Sequence, residues 1–307
     1  IQFFFDTLKH SSFSPKALKS EVQRLDRIHE WNKKQILPIT RALNLEWYYG
    51  HAHPLVFDAE GSPHTRAQIT MEDIQHFAQM LIPDVVAIVS SVPPKEYLSK
   101  LTNLIPHKSQ AQPQELPLPQ SIWKRGSIIF EESVQVSLSY SIRALKSNHP
   151  LYLATQIGLT ALADSFYSRI NKSIRIQNSS TYGVQCRNMS LARHGRIDIN
   201  ALVQADHLQQ TIDCIEKELQ EASTHWSQEE FTQNCTLHIH SLLQAEESCI
   251  QIADRIEQNH IKYGQHFSTH TQQKQIKELH LTEVQEAMLL LTKAPKSLLC
   301  VGKKDNL

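Results

Sequence analysis

The sequence has no excess of either charge and no long apolar run. Its 307 residues contain 31 lysines and arginines and 31 aspartates and glutamates, so the composition does not indicate a nucleic-acid partner or a membrane-surface partner. No apolar run approaches the length of a membrane span. No signal peptide is present, and Ile1 is not a natural start, so we expect the chain to be a fragment or a processed form.

The cysteines lack the spacing of a metal knuckle or a disulfide framework. The chain has five of them, none in a C-x-x-C pair, and they lie scattered in apolar segments. This distribution predicts buried free thiols.

Hydrophobic periodicity predicts a mixture of helices and strands. Strict alternation from Val134 to Ile142 is typical of a strand with one buried face. Thr70 and Asp73 form a capping box at the start of a helix. Helical and strand patterns that pair on one side indicate two-layer α/β sandwiches of the α+β class. We predict helices over 14–35, 38–50, 70–81, 94–105, 149–174, 205–222 and 227–258, and strands over 84–91, 134–142, 181–189, 196–203 and 297–302.

A linker divides the chain in this interpretation. Residues 107–121, "HKSQAQPQELPLPQS", contain three prolines and have no hydrophobic period. We therefore predict a first domain over 1–106 and a second over 122–307.

The two halves share an ordered set of features. "YYGHAHPL" at 48–55 and "YGQHFSTH" at 263–270 lie about 210 residues apart, and each is preceded by a long amphipathic helix. Each is followed by a capped helix and an apolar strand. This pattern predicts a duplicated domain, and the offset implies that only the second half of the first copy is present.

His266 and His270 have the four-residue spacing of zinc ligands on a helix. Gly264 is expected to end the preceding helix, so the two side chains should not share a helical face. No acidic residue stands between them. We therefore predict no metal site at this pair.

The segment "SRINKSIRIQNSSTYGVQ" at 168–185 resembles the pitrilysin/insulysin family of inverzincin zinc peptidases, which includes the mitochondrial processing peptidase. Ser168, Arg169 and Ile170 match the Ser-Arg-Leu start of the family pattern, and Arg175 and Tyr182 match its Arg and Tyr seven residues apart. The turn at 48–55 and the helix "ITMEDIQHFAQM" also look like family motifs. The resemblance implies duplicated two-layer α/β sandwich domains, with the first copy incomplete.

The chain also departs from the family pattern. No H-x-x-E-H, the motif that binds zinc and activates water, occurs in the 307 residues. Ala163-Asp164 replaces the usual Gly-Gly, and Ile176 replaces a glutamate. Glu21 and Glu30 are candidates for the family's third zinc ligand, but the exposed face of an amphipathic helix explains both better.

Arg175 and Tyr182 are the candidate substrate-binding residues, and we identify no catalytic or metal-binding residue in this chain. By the resemblance, the arginine binds substrate carbonyls and the phenol donates to an oxyanion. The residues alone also fit a structural arginine near a helix end and an amphipathic tyrosine on a strand.

The resemblance implies a non-catalytic half or subunit of a zinc peptidase, which forms the Arg/Tyr wall of a closed chamber. Its partners would be a peptide substrate and a zinc-bearing homologue in a homo- or heterodimer. Zinc is expected in the intact enzyme or the partner subunit, and no cofactor in this chain. The family's paired bacterial members favour the periplasm. One alternative is a truncated catalytic peptidase with H-x-x-E-H upstream of residue 1. Another is a structural or chaperone-like member without proteolysis.

Overall fold

The protein has a mixed α+β fold built around one five-stranded sheet. The computed structural model describes residues 12–80, 87–91, 116–165, 167–178 and 183–307. The helices are α1 (Pro15–Asn32), α2 (Ile36–Tyr49), α3 (Pro63–Arg66), α4 (Met71–Met80), α5 (Tyr152–Leu159), α6 (Arg169–Asn178), α7 (Leu208–Glu221), α8 (Gln228–Ala245), α9 (Cys249–Tyr263), α10 (Thr269–Glu278) and α11 (Leu281–Lys293), and the strands are β1 (Arg125–Ile129), β2 (Val136–Ala144), β3 (Val184–Asn188), β4 (Gly195–Val203) and β5 (Lys296–Gly302).

The sheet has the strand order β1-β5-β2-β4-β3. β1 pairs with β5 in parallel, and the remaining neighbours are antiparallel. β2 is central because it pairs over its whole length with β4 and over most of it with β5. β3 pairs with β4 alone and forms one edge of the sheet.

One face of β2 forms the main hydrophobic core. Val136, Leu138 and Ile142 are fully buried there against the helices that cover this face. Burial of each such side chain contributes about 1.5–3 kcal/mol. Gly158 lies where α5 meets Met288 of α11, and a side chain at that position would collide with Met288. Val134, expected on the same face, is 80% exposed and lies before the strand begins.

The opposite face of β2 is polar in sequence and nevertheless buried. Ser137, Ser139 and Ser141 are each at most 2% exposed. Helix α2 covers this face, and its Trp47 forms a second, smaller core with Leu299 and Val301 of β5. The sheet is therefore covered on both sides at this place.

Hydrogen bonds explain how the serine face can be buried. Asn44 of α2 donates from Nδ2 to Ser139 Oγ at 2.9 Å. The Ser141 hydroxyl lies 3.0 Å from Asn44 Oδ1 and 2.6 Å from Asp198 Oδ1 on β4. Because buried polar groups are costly when unpaired, this network ties α2 to β2 and β4 specifically.

The described end of the predicted linker is docked on α2. The backbone N–H of Gln120 donates to Tyr49 O at 3.2 Å, and that of Ile122 donates to Trp47 O at 2.6 Å. These bonds satisfy two carbonyls that the last turn of a helix leaves free. The division into domains at 1–106, 107–121 and 122–307 stays a prediction.

Two long predicted helices are each broken. The expected helix over 149–174 consists of α5, a π-turn at Thr160–Asp164 and α6, because Ser165 adopts an extended backbone between them. The expected helix over 227–258 is divided into α8 and α9, since the Ser248 side chain caps a new helix start. The Thr70–Asp73 capping box is confirmed by reciprocal hydrogen bonds.

Other predictions have mixed outcomes. The strands at 196–203 and 297–302 are confirmed as β4 and β5. The one predicted at 181–189 is confirmed over Val184–Asn188 as β3, and residues 181 and 182 lie outside the described residues. The predicted strand at 84–91 lies partly outside the described residues, and residues 87–91 form no regular structure. The predicted helix over 94–105 lies outside the described residues.

All five cysteines are free, and only Cys249 is exposed. None of the helices in the described residues combines the length and the hydropathy of a membrane span.

Candidate functional site

Of the two predicted substrate-binding residues, one belongs to α6 and the other to the connection between α6 and β3. Arg175 lies within α6, while its side chain and the whole of Tyr182 lie outside the described residues. Their roles therefore stay predictions. The structure does describe the two elements that this connection joins.

Asn171 holds the start of α6 against the start of β3. Its side chain is buried, accepts the backbone N–H of Val184 at 2.8 Å and donates to Ser165 O at 2.8 Å. One amide side chain thus bridges the turn before α6 and the first residue of the edge strand. The connection that contains Tyr182 consequently starts and ends on elements that are fixed to each other.

Two further contacts fix α6 on the helices beside it. Arg169 makes a bidentate ion pair with Glu230 at 2.7 and 2.5 Å, and its guanidinium lies 4.9 Å from the ring centre of Trp226. Ser173 donates to Glu218 at 2.5 Å. Arg169, the arginine of the Ser-Arg pair that carries the family resemblance, therefore has a structural role, because it anchors α6 to α8.

The altered family position lies just before α6. Ala163 is 1% exposed and belongs to the π-turn that follows α5, while Asp164 ends that turn at the surface. A buried alanine here packs in the main core, which a glycine could not do.

Within the turn at 48–55, the rings of Tyr48, Tyr49 and His53 are buried, while His51 and Leu55 are exposed. His53 is 4% exposed, accepts the N–H of Leu55 at Nδ1 (3.1 Å) and lies with Nε2 2.9 Å from Pro117 O. A neutral ring protonated at Nε2 satisfies both contacts. Since both nitrogens are occupied, His53 fastens the turn to the incoming chain, and Tyr49 stacks on it at 4.6 Å.

Tyr48 connects the same turn to the β3–β4 connection. Its hydroxyl donates to Gly195 O at 3.0 Å and lies 3.2 Å from His194 Nδ1. Burial raises the pKa of Tyr48 and lowers the pKa of His194, and the neighbouring His53 adds to the second effect. Both groups are therefore neutral at pH 7 and hold the helix by hydrogen bonds.

A buried ion pair lies beneath the two tyrosines. Arg196 and Asp198 of β4 are 2.7 Å apart with side chains 3% and 6% exposed, and the Arg196 guanidinium lies 4.9 Å from the ring centre of Tyr48. Nε and Nη1 of Arg196 are buried without a hydrogen bond in the described part of the chain. Sequence reasoning missed this pair, although charged residues alternating with isoleucines in "GRIDIN" were a usable signal.

The two histidines at the second turn do not lie on one helix. His266 precedes α10 and His270 is near its start, and both side chains are exposed. Gly264 ends α9 with a positive φ of 70°, as the sequence indicated. Within the described ranges, no group of three or more His, Cys, Asp or Glu side chains could hold a metal ion.

Glu21 and Glu30 lie on the exposed side of α1. Each forms an i,i+3 ion pair, with Arg24 at 2.6 Å and with Lys33 at 2.9 Å. Hydrogen bonding to these cations lowers the pKa of both carboxyls. In the described residues they are solvated surface groups.

A family model described as the peptidase M16 inactive domain matches residues 68–236, more than half of the chain. The chain belongs to the peptidase M16 family. This membership confirms the resemblance to the pitrilysin/insulysin peptidases. The matched part is described as the inactive domain, which agrees with the expectation that this chain does not provide the catalytic zinc site. No curated protein matches the sequence.

Several solved structures share the fold at low sequence identity. A peptidase M16 inactive domain from Pseudomonas fluorescens has a TM-score of 0.78 at 18% identity, with 95% of this chain and 72% of that one covered. A chain of complex III2 from Candida albicans, bound to Inz-5, has a TM-score of 0.78 at 11% identity, with coverages of 97% and 73%. The periplasmic protease PqqL from Escherichia coli has a TM-score of 0.75 at 16% identity, with coverages of 99% and 34%.

Proposed function

We propose that this chain is a non-catalytic half or subunit of an M16 zinc peptidase and contributes Arg175 and Tyr182 to the substrate-binding wall of a closed chamber. The main support is the match to the M16 inactive domain, which includes the segment carrying both residues. The chain has no H-x-x-E-H. The residues described here do not fit a zinc ion, so zinc would be bound elsewhere in the intact protein or by a partner subunit.

The structural support is the Asn171 bridge between α6 and β3. It joins the start of α6 to the first residue of β3, and α6 is further fixed by Arg169 and Glu230. Fixed flanking elements favour a substrate-positioning role, because a displacement of 1 Å is costly in catalysis.

The two side chains would have different tasks. A guanidinium donates to substrate carbonyl oxygens before and during the reaction, so Arg175 would mainly contribute to binding. A phenol placed beside the scissile carbonyl donates to the oxygen as negative charge develops on it, so Tyr182 would mainly lower the barrier.

The experiment measures peptide cleavage by the intact assembly reconstituted with its zinc-bearing homologue. Tyr182→Phe removes only a hydroxyl and should lower kcat by about 10²–10³-fold, the scale of losing one oxyanion donor. Arg175→Ala should raise KM more than it lowers kcat.

Matched controls are available beside both residues. Tyr167 is 74% exposed, and Lys172 is an exposed cation on α6, so Tyr167→Phe and Lys172→Ala should leave both constants unchanged. Wild-type kinetics in Tyr182→Phe and Arg175→Ala would contradict the proposal.

A structural role without proteolysis is the second candidate, and the similarity to a chain of complex III2 favours it. Under this function the assembly would show no cleavage at all, and Asn171→Ala would weaken assembly and stability together.

A peptidase with H-x-x-E-H upstream of Ile1 would instead cleave peptides without a partner. Sequencing the upstream coding region would distinguish this last function from the other two.

A further inference from the structure

The helical layer contains a cavity that has no part in the proposed function. Its volume is about 740 Å³, within the range of roughly 300–1,000 Å³ for small-molecule sites. It is lined by residues of 147–156 and by α8, α9, α10 and their connections. It shares no lining residue with the connection between α6 and β3.

One wall of the cavity is aromatic. Tyr152 and Tyr263 lie 6.5 Å apart between ring centres, and Tyr263 and Phe267 lie 5.3 Å apart, both edge-to-face. Burial raises the pKa of Tyr152 to about 12, so its phenol remains neutral. This wall suits an apolar or aromatic group.

The cavity also contains a lysine. Lys262 lines it, and its ammonium group forms no ion pair among the residues that the structure describes. Burial lowers the pKa of Lys262, because desolvation disfavours the charged form. His238 lines the same cavity, and burial lowers its pKa as well, so a neutral imidazole stands nearby as a hydrogen-bonding group.

An unused acceptor completes the lining. Oε1 of Gln272 is buried and accepts no hydrogen bond from any described residue. A buried acceptor of this kind costs about 1–3 kcal/mol unless a ligand or a water donates to it. Two carboxylates also line the cavity, but Glu283 accepts the N–H of His280 at 2.8 Å and Glu278 pairs with Lys274 at 3.8 Å.

We propose that this cavity binds the carboxylate of an apolar amino acid, either as a small acylated amino acid or as the carboxyl terminus of a short peptide. The carboxylate pairs with Lys262, an N–H of the ligand donates to Gln272 Oε1, and the apolar side chain packs on Tyr263 and Phe267. This ligand chemistry therefore matches the lysine, the unused acceptor and the aromatic wall of the lining.

Calorimetric titration of the protein tests the assignment with two probes of nearly equal shape. N-acetyl-L-phenylalanine should bind, and its carboxamide should bind about 10- to 100-fold more weakly, because a charged hydrogen bond is lost. An N-acetylated tripeptide ending in phenylalanine distinguishes the two sources: tighter binding than the single residue assigns the site to peptide termini, and equal or weaker binding assigns it to small acids.

Variants then locate the probe. Lys262→Met should reduce the affinity for the acid to that of the carboxamide, and Gln272→Met should weaken both probes. Lys277→Met is the control, since Lys277 is an exposed lysine on α10 that does not line the cavity. Circular dichroism and Tm establish that each variant is folded, and the comparison of acid and carboxamide on the unmodified protein needs no variant.

Absence of binding by both probes, or equal binding of acid and carboxamide, would overturn the proposal. Neither result would affect the proposed role of Arg175 and Tyr182, because the cleavage assay depends on other residues.

Discussion

The turn after Tyr49 and the turn after Tyr263 both end a helix with a Tyr-Gly pair, but only the first is covered by other parts of the chain. Gly50 and Gly264 have φ angles of 83° and 70°, and their N–H groups donate to Glu46 O and His260 O at 2.9 and 2.8 Å. Both glycines thus end a helix with a positive φ, although their ψ angles differ, at 153° for Gly50 and 2° for Gly264.

The surroundings of the two turns differ completely. His53 is 4% exposed and fastened to Pro117 O, whereas His266 is exposed. Residues 116–122 return over the first turn and donate to carbonyls of α2. The comparison teaches that these motifs encode only a helix end, and that a distant segment decides whether the histidine is buried.

The largest difference is expected for the two tyrosines. Tyr49 is 5% exposed, packs edge-to-face on Tyr48 and stacks on His53, so Tyr49→Ala should lower the free energy of unfolding by about 3–5 kcal/mol. Tyr263→Ala should cost less, because Tyr263 is only half-buried. Urea unfolding of both variants measures the difference, and equal losses would show that the second turn is as tightly packed as the first.

The two histidines should differ by a smaller amount. His53→Ala leaves Pro117 O and the N–H of Leu55 without their partner, which should cost about 1–3 kcal/mol. His266→Ala should stay within about 0.5 kcal/mol of the unmodified protein, as is usual for surface substitutions. Limited proteolysis between 107 and 121 provides a local measurement, since only His53→Ala should accelerate cleavage there.

The two glycines sharpen the comparison further. A Cβ at Gly50 would lie 3.3 Å from Gln120 Cβ, while a Cβ at Gly264 would meet nothing within 4 Å. Gly264→Ala must adopt a left-handed backbone at a cost of about 1–2 kcal/mol. Gly50 combines a φ of 83° with a ψ of 153°, a region that almost only glycine adopts, so we expect Gly50→Ala to cost more, about 2–3 kcal/mol. Thermal unfolding compares the two, and a larger loss in Gly264→Ala would contradict the covered geometry.

The smallest expected effect concerns pH. Burial lowers the pKa of His194 in the folded state below its ordinary value of 6.5, so the unfolded chain takes up this proton first as the pH falls. Stability should therefore decline below about pH 6.5 until the lowered pKa is passed. His194→Gln should remove part of this decline, which urea unfolding at a series of pH values measures, and an unchanged slope would contradict the assignment.

Local patterns were sufficient to predict most strands and helix starts. The alternation in β2, the capping box at Thr70 and the stops at Gly50 and Gly264 depend only on neighbouring residues, and the structure contains all of them. The breaks near Ser165 and Ser248 were missed, because apolar residues continue across them and the helix ends are set by capping contacts.

Long-range partners could not be predicted in the same way. The serines of β2 read as a solvent-facing side, yet Asn44 covers them from about 95 residues away. Arg196 and Asp198 became a buried pair for the same reason. At the candidate site, the sequence named Arg175 and Tyr182, but the Asn171 bridge depends on a contact that no local pattern reveals.

The serine face of β2 has a consequence for the order of folding. β2, β4 and β5 can associate by hydrophobic alternation, but the polar side of β2 is completed only when α2 arrives from far along the chain. Closing such a long loop is entropically slow. We therefore expect α2 to dock late in folding. Before it docks, the serines of β2 and the ring of Trp47 face water. In the folded protein, α2 and the sheet should unfold together.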